Sequence, residues 1–430
     1  MSLGATTPGS TDAQRRRRWA TNLCIAVIGL ILFAALNTRS GRLDANDGLG
    51  WDGRQYAHMV TNRLQDGTVA TQTRPLLPLL TRIPYYAGLD IISAFQVMNF
   101  VYAAVLYIFL CLLLDTYEVP SVYKAYLVVT IALCIATSKM FAFYPTVIDL
   151  GALAVLSAAT YVVLTRGGWA AGIATLLAVL SREFGVALAF FGMHRELREG
   201  RGLVRALLTY APAVAAMFAL RRWAYATNLG DPDRAMVTTG DFIANLALWR
   251  DPAFVSFFAY FLFTLVGGVT LLLALKPAWS IRRLAATPEL ATFAAVIMAA
   301  TAVGNADIWR YLVFLLPVIT ILFACYVRDH QPGALVLSTA LLFTLATQQP
   351  FTQMDVARYF RDWFPVYVTR TADATPEFWS LWRVRLVMTG AVALALGFVQ
   401  WKMLRWNARW PQFIRPSSGP SQPRRPSSSP

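Results

Sequence analysis

Long apolar runs, broken by short polar or basic segments, recur from Leu23 to Leu404. A backbone inside lipid has no water to bond, so each run reads as a helix that satisfies its own amides and carbonyls. The runs predict spans at 22–37, 90–114, 123–138, 145–165, 169–181, 184–194, 203–220, 254–275, 289–304, 310–327, 332–347 and 386–403. The expected fold class is an all-α polytopic membrane protein with about 12 transmembrane helices. The first run follows Arg15-Arg16-Arg17-Arg18, as in a signal peptide, but no small-residue cleavage site clearly follows it, so a retained span is expected. Residues 1–19 then read as a basic cytoplasmic tail, 20–404 as the transmembrane domain, and the Pro/Ser-rich 405–430 as a disordered cytoplasmic tail.

One stretch admits two readings. "WAAGIATLLAVLSREFGVALAFFGMHRELREGRG" is either one span or two short helices that reverse at Ser181-Arg182-Glu183. A single helix would bury Arg182 and Glu183 at mid-membrane, costing roughly 2.5–3.5 kcal/mol per charge. It would also export Arg195, Arg198, Arg201 and Arg205. A hairpin keeps them beside Lys276, Arg282, Arg283 and Arg328. Short basic loops stay in the cytoplasm, so the hairpin is expected, with both termini inside.

Composition agrees with a membrane protein: 57% of residues are hydrophobic and only 14% charged, well below a soluble domain. The formal charge is +15, yet the basic residues are scattered between spans, which argues against nucleic acid as a partner. An anionic bilayer surface and an anionic substrate suit them better. Arginines crowd the outer loops too, Arg39 to Arg82 in the first and Arg358, Arg361, Arg370, Arg383 and Arg385 in the last. Cys24, Cys111, Cys134 and Cys325 lie far apart in apolar runs and read as small core residues. His58, His194 and His330 have no ligand spacing, so no metal site is read, although acids within loops permit a divalent ion. No cofactor is expected.

The informative polar segment is "GLGWDGRQYAHMV". If 52–66 is helical, Asp52, Tyr56, Met59 and Arg63 share one broad face, as an interfacial helix in the first outer loop would arrange them. An acid at a helix start is ordinarily a cap. A second charge nearby adds weight to Asp52: Arg74 opens "RPLLPLLTRIP" just before the next apolar run.

These segments resemble the GT-C class of integral-membrane glycosyltransferases. The resemblance rests on Asp52-Gly53-Arg54-Gln55-Tyr56, on Arg74-Pro75-Leu76-Leu77-Pro78, on Arg182-Glu183 in "LSREFG", and on Arg310 to Pro317 in "IWRYLVFLLP". It covers most of 20–330 as architecture, through short motifs. It implies a GT-C-like bundle and an inverting transfer from a polyprenyl-phosphate-linked sugar at the outer face. Asp52 is then the general base, and Arg74, Arg182 and Arg310 bind the donor phosphate. Glu183 reads first as the partner of Arg182 and otherwise as an orienting group. Asp47 or Asp44 is where a second acid near Asp52 would fall. Asp149, with Lys139 and Tyr144, is expected along the same outer cavity, and Asn305 and Asp307 are placed to orient Arg310. Tyr56, Trp51 and Trp309 read as interface anchors or as surfaces for sugar or prenyl chain.

The rival class is a transporter or lipid flippase, for which Arg182-Glu183 would be an intramembrane gate. The absence of an internal repeat counts against duplicated transporter halves. The acids and most of the unexplained arginines collect in outer loops, which favours chemistry at an interface.

Overall fold

The structure, a computed structural model, describes residues 12–228, 246–303, 308–357, 360 and 375–409, without the side chains of 303, 309, 400 and 403–409. Every element among the described residues is helical. Five helices are long and apolar enough to cross a bilayer: Asp12–Arg39, Ile91–Asp115, Leu203–Thr227, Arg310–His330 and Pro376–Val399. Two bent pairs, Pro252–Thr264 with Gly267–Ala274 and Pro277–Ala285 with Pro288–Ala302, raise the number to as many as seven. Leu23, Ile31, Val101, Leu208, Leu342 and Leu394 face outward, an apolar surface suited to lipid. Shorter apolar helices pack among the long ones. Asp149–Thr165 is buried along most of its length, as befits a helix with no polar face of its own.

Side-chain contacts fix the directions of the central helices. Ile91–Asp115 runs parallel to Asp149–Thr165, because Tyr102 packs on Gly151 and Phe109 on Tyr161. The chain then reverses. The Gly168 amide donates to Glu196 Oε1 at 3.2 Å, setting the start of Gly168–Ser181 beside the end of Val186–Arg198. Gly185 makes the hairpin possible, since a Cβ there would strike the Ala178–Val179 backbone.

Polar groups consequently collect at two ends. At the end remote from the hairpin, Asn22, Asp115 and Lys124 bond one another, Arg198 pairs with Glu289 at 2.8 Å, and Arg201 pairs with Glu196 at 2.9 Å. At the hairpin end, Gln72 in the 62–75 segment is buried, its carbonyl accepting from Thr227 at 2.9 Å and Asn228 at 3.0 Å.

Several expected spans end elsewhere. The 254–275 run is a bent pair turning by 102°, with Gly267 in the left-handed region (φ +46°) and the Gly268 amide bonded to Thr344 Oγ1. The α-helix in the 123–138 run ends at Leu133, where Cys134 turns extended, and Ile135–Thr137 follows as a separate 3-10 turn. The last helix begins at Pro376 rather than 386, because Trp382 is buried against Phe257 and Tyr260, so Arg383 and Arg385 are helical. The first helix begins at Asp12 and carries Arg15–Arg18 within it. Cys24 is exposed, which leaves the small-core reading to Cys111, Cys134 and Cys325. Arg358, Arg361, Arg370 and most of the C-terminal tail lie outside the described residues.

Candidate active site

The segment before Asp52 is a tight turn built on left-handed backbone. Asn46 and Asp47 have φ of 52° and 56°, and the Gly50 amide closes the turn on Ala45 O at 2.8 Å. The turn is seated on the 144–146 segment: Thr146 Oγ1 donates to Leu49 O at 2.8 Å, and the Gly53 amide donates to the Tyr144 hydroxyl at 2.9 Å. Helix Asp52–Thr61 comes next, with Tyr56, Met59 and Val60 buried. It ends five residues before the 66 expected from sequence, because 64–66 is a separate 3-10 turn, and Arg63 is left exposed and off the inward face.

Gly53 is required here on steric grounds. A Cβ would overlap Thr146 and press on the Tyr144 ring. Gly53→Ala is therefore expected to cost about 1–3 kcal/mol, the usual penalty of overpacking, and a thermal unfolding midpoint in detergent equal to that of the parent would contradict this packing.

Asp52 opens its helix but does not cap it. No side chain caps this helix, and the Asp52 carboxylate instead receives Arg310 Nη1 at 2.7 Å. Arg310 reaches it from the short helix Ile308–Leu312, and its Nε donates to Asp149 Oδ2 at 3.0 Å. The other oxygen of Asp149 meets Arg182. Asp52, Arg310, Asp149 and Arg182 thus form one chain of alternating charge, drawn from four separate segments. Beside it, Arg74 pairs with Glu183 at 2.9 Å and donates to the Tyr56 hydroxyl at 2.9 Å, while Thr73 donates to Glu183 Oε1 at 2.6 Å.

Exposure sorts these groups. Asp52 keeps 42% of its side chain exposed and Glu183 28%, whereas Arg310 keeps 8% and Asp149 and Arg182 2% each. Arg182 is enclosed by Phe184, Tyr311 and Phe314, with its guanidinium carbon 5.1–5.9 Å from their ring centres. Only Asp52 combines a charge with ready access. Burial pushes the Asp52 carboxyl up, but the charge and hydrogen bond of Arg310, with Arg74 and Arg182 behind it, outweigh that and hold it below the ordinary carboxylate value. It is therefore ionised at neutral pH and can accept a proton.

The sequence-level assignments fare unevenly in position. Asp52, Tyr56, Arg74, Asp149, Arg182, Glu183 and Arg310 come together. Glu183 pairs with Arg74 and not with Arg182, because Arg182 is extended (φ −166°, ψ 146°) and successive side chains of extended backbone point opposite ways. Asp44 and Asp47 are exposed on the turn and join no part of this network among the described residues. Asn305, Asp307 and the Trp309 side chain lie outside the described residues. Lys139 is held by Gln349 O and Thr352 Oγ1, while Trp51 packs edge-on against Tyr144 and Phe360. The roles of the Tyr144 hydroxyl as a seat for Gly53 and of Thr73 as a donor to Glu183 had no sequence signal beyond proximity to the motifs. Among the described residues no three His, Cys, Asp or Glu side chains gather as a metal site.

Compared with family models, curated proteins and solved structures, the chain matches none.

Proposed function

We propose that this chain is a GT-C-type membrane glycosyltransferase, a bundle of about 12 spans in the cell membrane, which transfers a sugar from a polyprenyl-phosphate donor at the face bearing Asp52. The observation that carries the reading is the half-exposed Asp52 carboxylate bonded to Arg310 at the head of a buried charge network. An acceptor hydroxyl attacks the anomeric carbon, and its proton passes to Asp52 as the new C–O bond forms. The bond from that carbon to the phosphate oxygen breaks on the opposite side, so configuration inverts and polyprenyl phosphate leaves. Arg310 and Arg74 offer guanidinium donors to the negative charge growing on that phosphate. As the phosphate draws Arg310, Asp52 loses part of the interaction that depresses its basicity, so donor binding prepares the base. Arg182 is enclosed, and it serves the phosphate through Asp149 and Arg310. The acceptor, whether glycan, lipid or protein, is left open.

Binding of a short-chain prenyl-phosphate analogue tests the donor site. Arg74→Ala and Arg310→Ala should each weaken binding by tenfold or more, since a hydrogen bond to a charged group contributes about 1.5–3 kcal/mol. Arg310→Lys should restore little, because one ammonium cannot reproduce the guanidinium fork. Unchanged affinity in both alanine variants would remove the donor-site assignment.

The topology proposal places both termini and the Arg198–Arg205 segment in the cytoplasm. In a Cys24→Ser background, an impermeant thiol reagent applied to intact cells should label Gln65→Cys and not Arg198→Cys. Labelling at 198 would invert the orientation.

A transporter or flippase is the second reading. The enclosed Arg310–Asp149–Arg182 chain favours it, because charges inside a membrane domain commonly mark pathways.

A further inference from the structure

The helix Pro277–Ala285 meets the apolar helix Pro288–Ala302 at 108°, so it lies crosswise to it, and Glu289 at the junction pairs with Arg198 at the polar end remote from Asp52. One side of it packs inward. Trp279 rests against Tyr326 and His330, and its indole donates to Asp329 at 3.3 Å. The opposite side presents Pro277, Ala278, Ile281 and Ala285 outward, with Ile281 67% exposed. An apolar outward face on a helix lying across the spans suits the boundary between headgroups and acyl chains.

The charge on this element differs from that of its surroundings. Nearby arginines are neutralised: Arg195 by Glu199, Arg198 by Glu289, Arg201 by Glu196 and Glu199, and Arg328 by Asp329. Lys276, Arg282 and Arg283 form no ion pair among the described residues, and no acid occurs from 276 to 288. Arg282 donates to Ala278 O at 3.1 Å, and Arg283 donates to the Cys325 thiol at 3.4 Å, a weak acceptor. Asp329 acts on Arg283 only from beyond ion-pair distance. Cations with no carboxylate in contact, beside an outward apolar face, complement an anionic headgroup held at the depth of that face.

We propose that Pro277–Ala285 is an interfacial anchor that selects anionic phospholipid through Lys276, Arg282 and Arg283. Ile281 and its apolar neighbours enter the outer part of the acyl region, while the three cations meet phosphodiester groups. The proposal does not depend on the glycosyl-transfer reading.

The test uses the full chain with Cys24→Ser and Ile281→Cys, carrying a bimane fluorophore, in liposomes of phosphatidylcholine and phosphatidylglycerol. Either lipid is supplied in brominated form at the same mole fraction. Brominated phosphatidylglycerol should quench more strongly than brominated phosphatidylcholine, and raised salt should reduce the difference. Replacing Lys276, Arg282 and Arg283 by Gln should abolish the difference between the two lipids. Bimane quenched by aqueous iodide and by neither lipid would overturn the anchor. Equal quenching by both lipids in the parent would overturn the anionic selection. Arg205→Gln, elsewhere on the same end, should leave the preference unchanged, and its loss there too would show a diffuse field in place of this helix.

Discussion

Asp52→Asn is expected to slow sugar transfer by about 10²–10⁴-fold, the usual range for loss of a general base, while donor binding and fold persist. The amide keeps the shape of the side chain and one acceptor oxygen for Arg310, but it cannot take a proton at neutral pH. Because this carboxylate does not cap its helix, the substitution removes no cap. The pH profile supplies an independent sign. A carboxyl held below its ordinary value stays ionised until pH falls through that lowered value, so the acid limb should lie below the usual aspartate range near 3.9. Replacing Arg310 by Gln removes the main stabiliser of the ionised form and should move the limb upward. An acid limb that does not respond to Arg310 would assign it to another group.

Asp149→Ala should be the most destabilising single change at the site. It leaves Arg182 buried with no carboxylate, and breaking a buried pair in this way costs about 3–5 kcal/mol. It also takes from Arg310 the partner that fixes its Nε. The two effects separate in a double variant. Asp149→Leu with Arg182→Met replaces the pair by apolar groups, which is often neutral for stability, so unfolding in micelles should return towards the parent. Transfer should remain low, because Arg310 is still unanchored. Full stability of Asp149→Ala alone would mean that water reaches Arg182, contrary to its enclosure by Phe184, Tyr311 and Phe314.

The helical class and the positions of most apolar helices were legible because lipid forces apolar runs into helices. Among the described residues, however, only five of them, or up to seven with the bent pairs, are long enough to cross a bilayer, against the twelve spans expected. The insertion cost of Arg182 and Glu183 pointed to the hairpin. Helix ends were less legible. The bend near Gly267 depends on a close approach to the Ala340–Thr344 segment, and the early start at Pro376 depends on Trp382 finding a buried aromatic pocket. Neither contact is local in sequence. At the site, Asp52, Arg74, Arg182 and Arg310 stood out as charges beside apolar runs, but their pairings did not. Which carboxylate meets which arginine is settled by the extended backbone at Arg182 and by the packing of Asp149–Thr165, so Asp149 read as an isolated acid although it joins two arginines. Asp47 read as a neighbour of Asp52 by spacing alone, and the left-handed turn carries it to the surface.

The most direct measurement reconstitutes the protein in liposomes with labelled short-chain polyprenyl-phosphate hexoses and pentoses and a membrane-extract acceptor, and monitors release of polyprenyl phosphate. Release coupled to sugar transfer is expected from the parent protein, with Asp52→Asn binding donor yet releasing polyprenyl phosphate orders of magnitude more slowly. Labelled donor that crosses the bilayer with its sugar bond intact, equally in the parent and in Asp52→Asn, would contradict it and leave the transporter reading in its place.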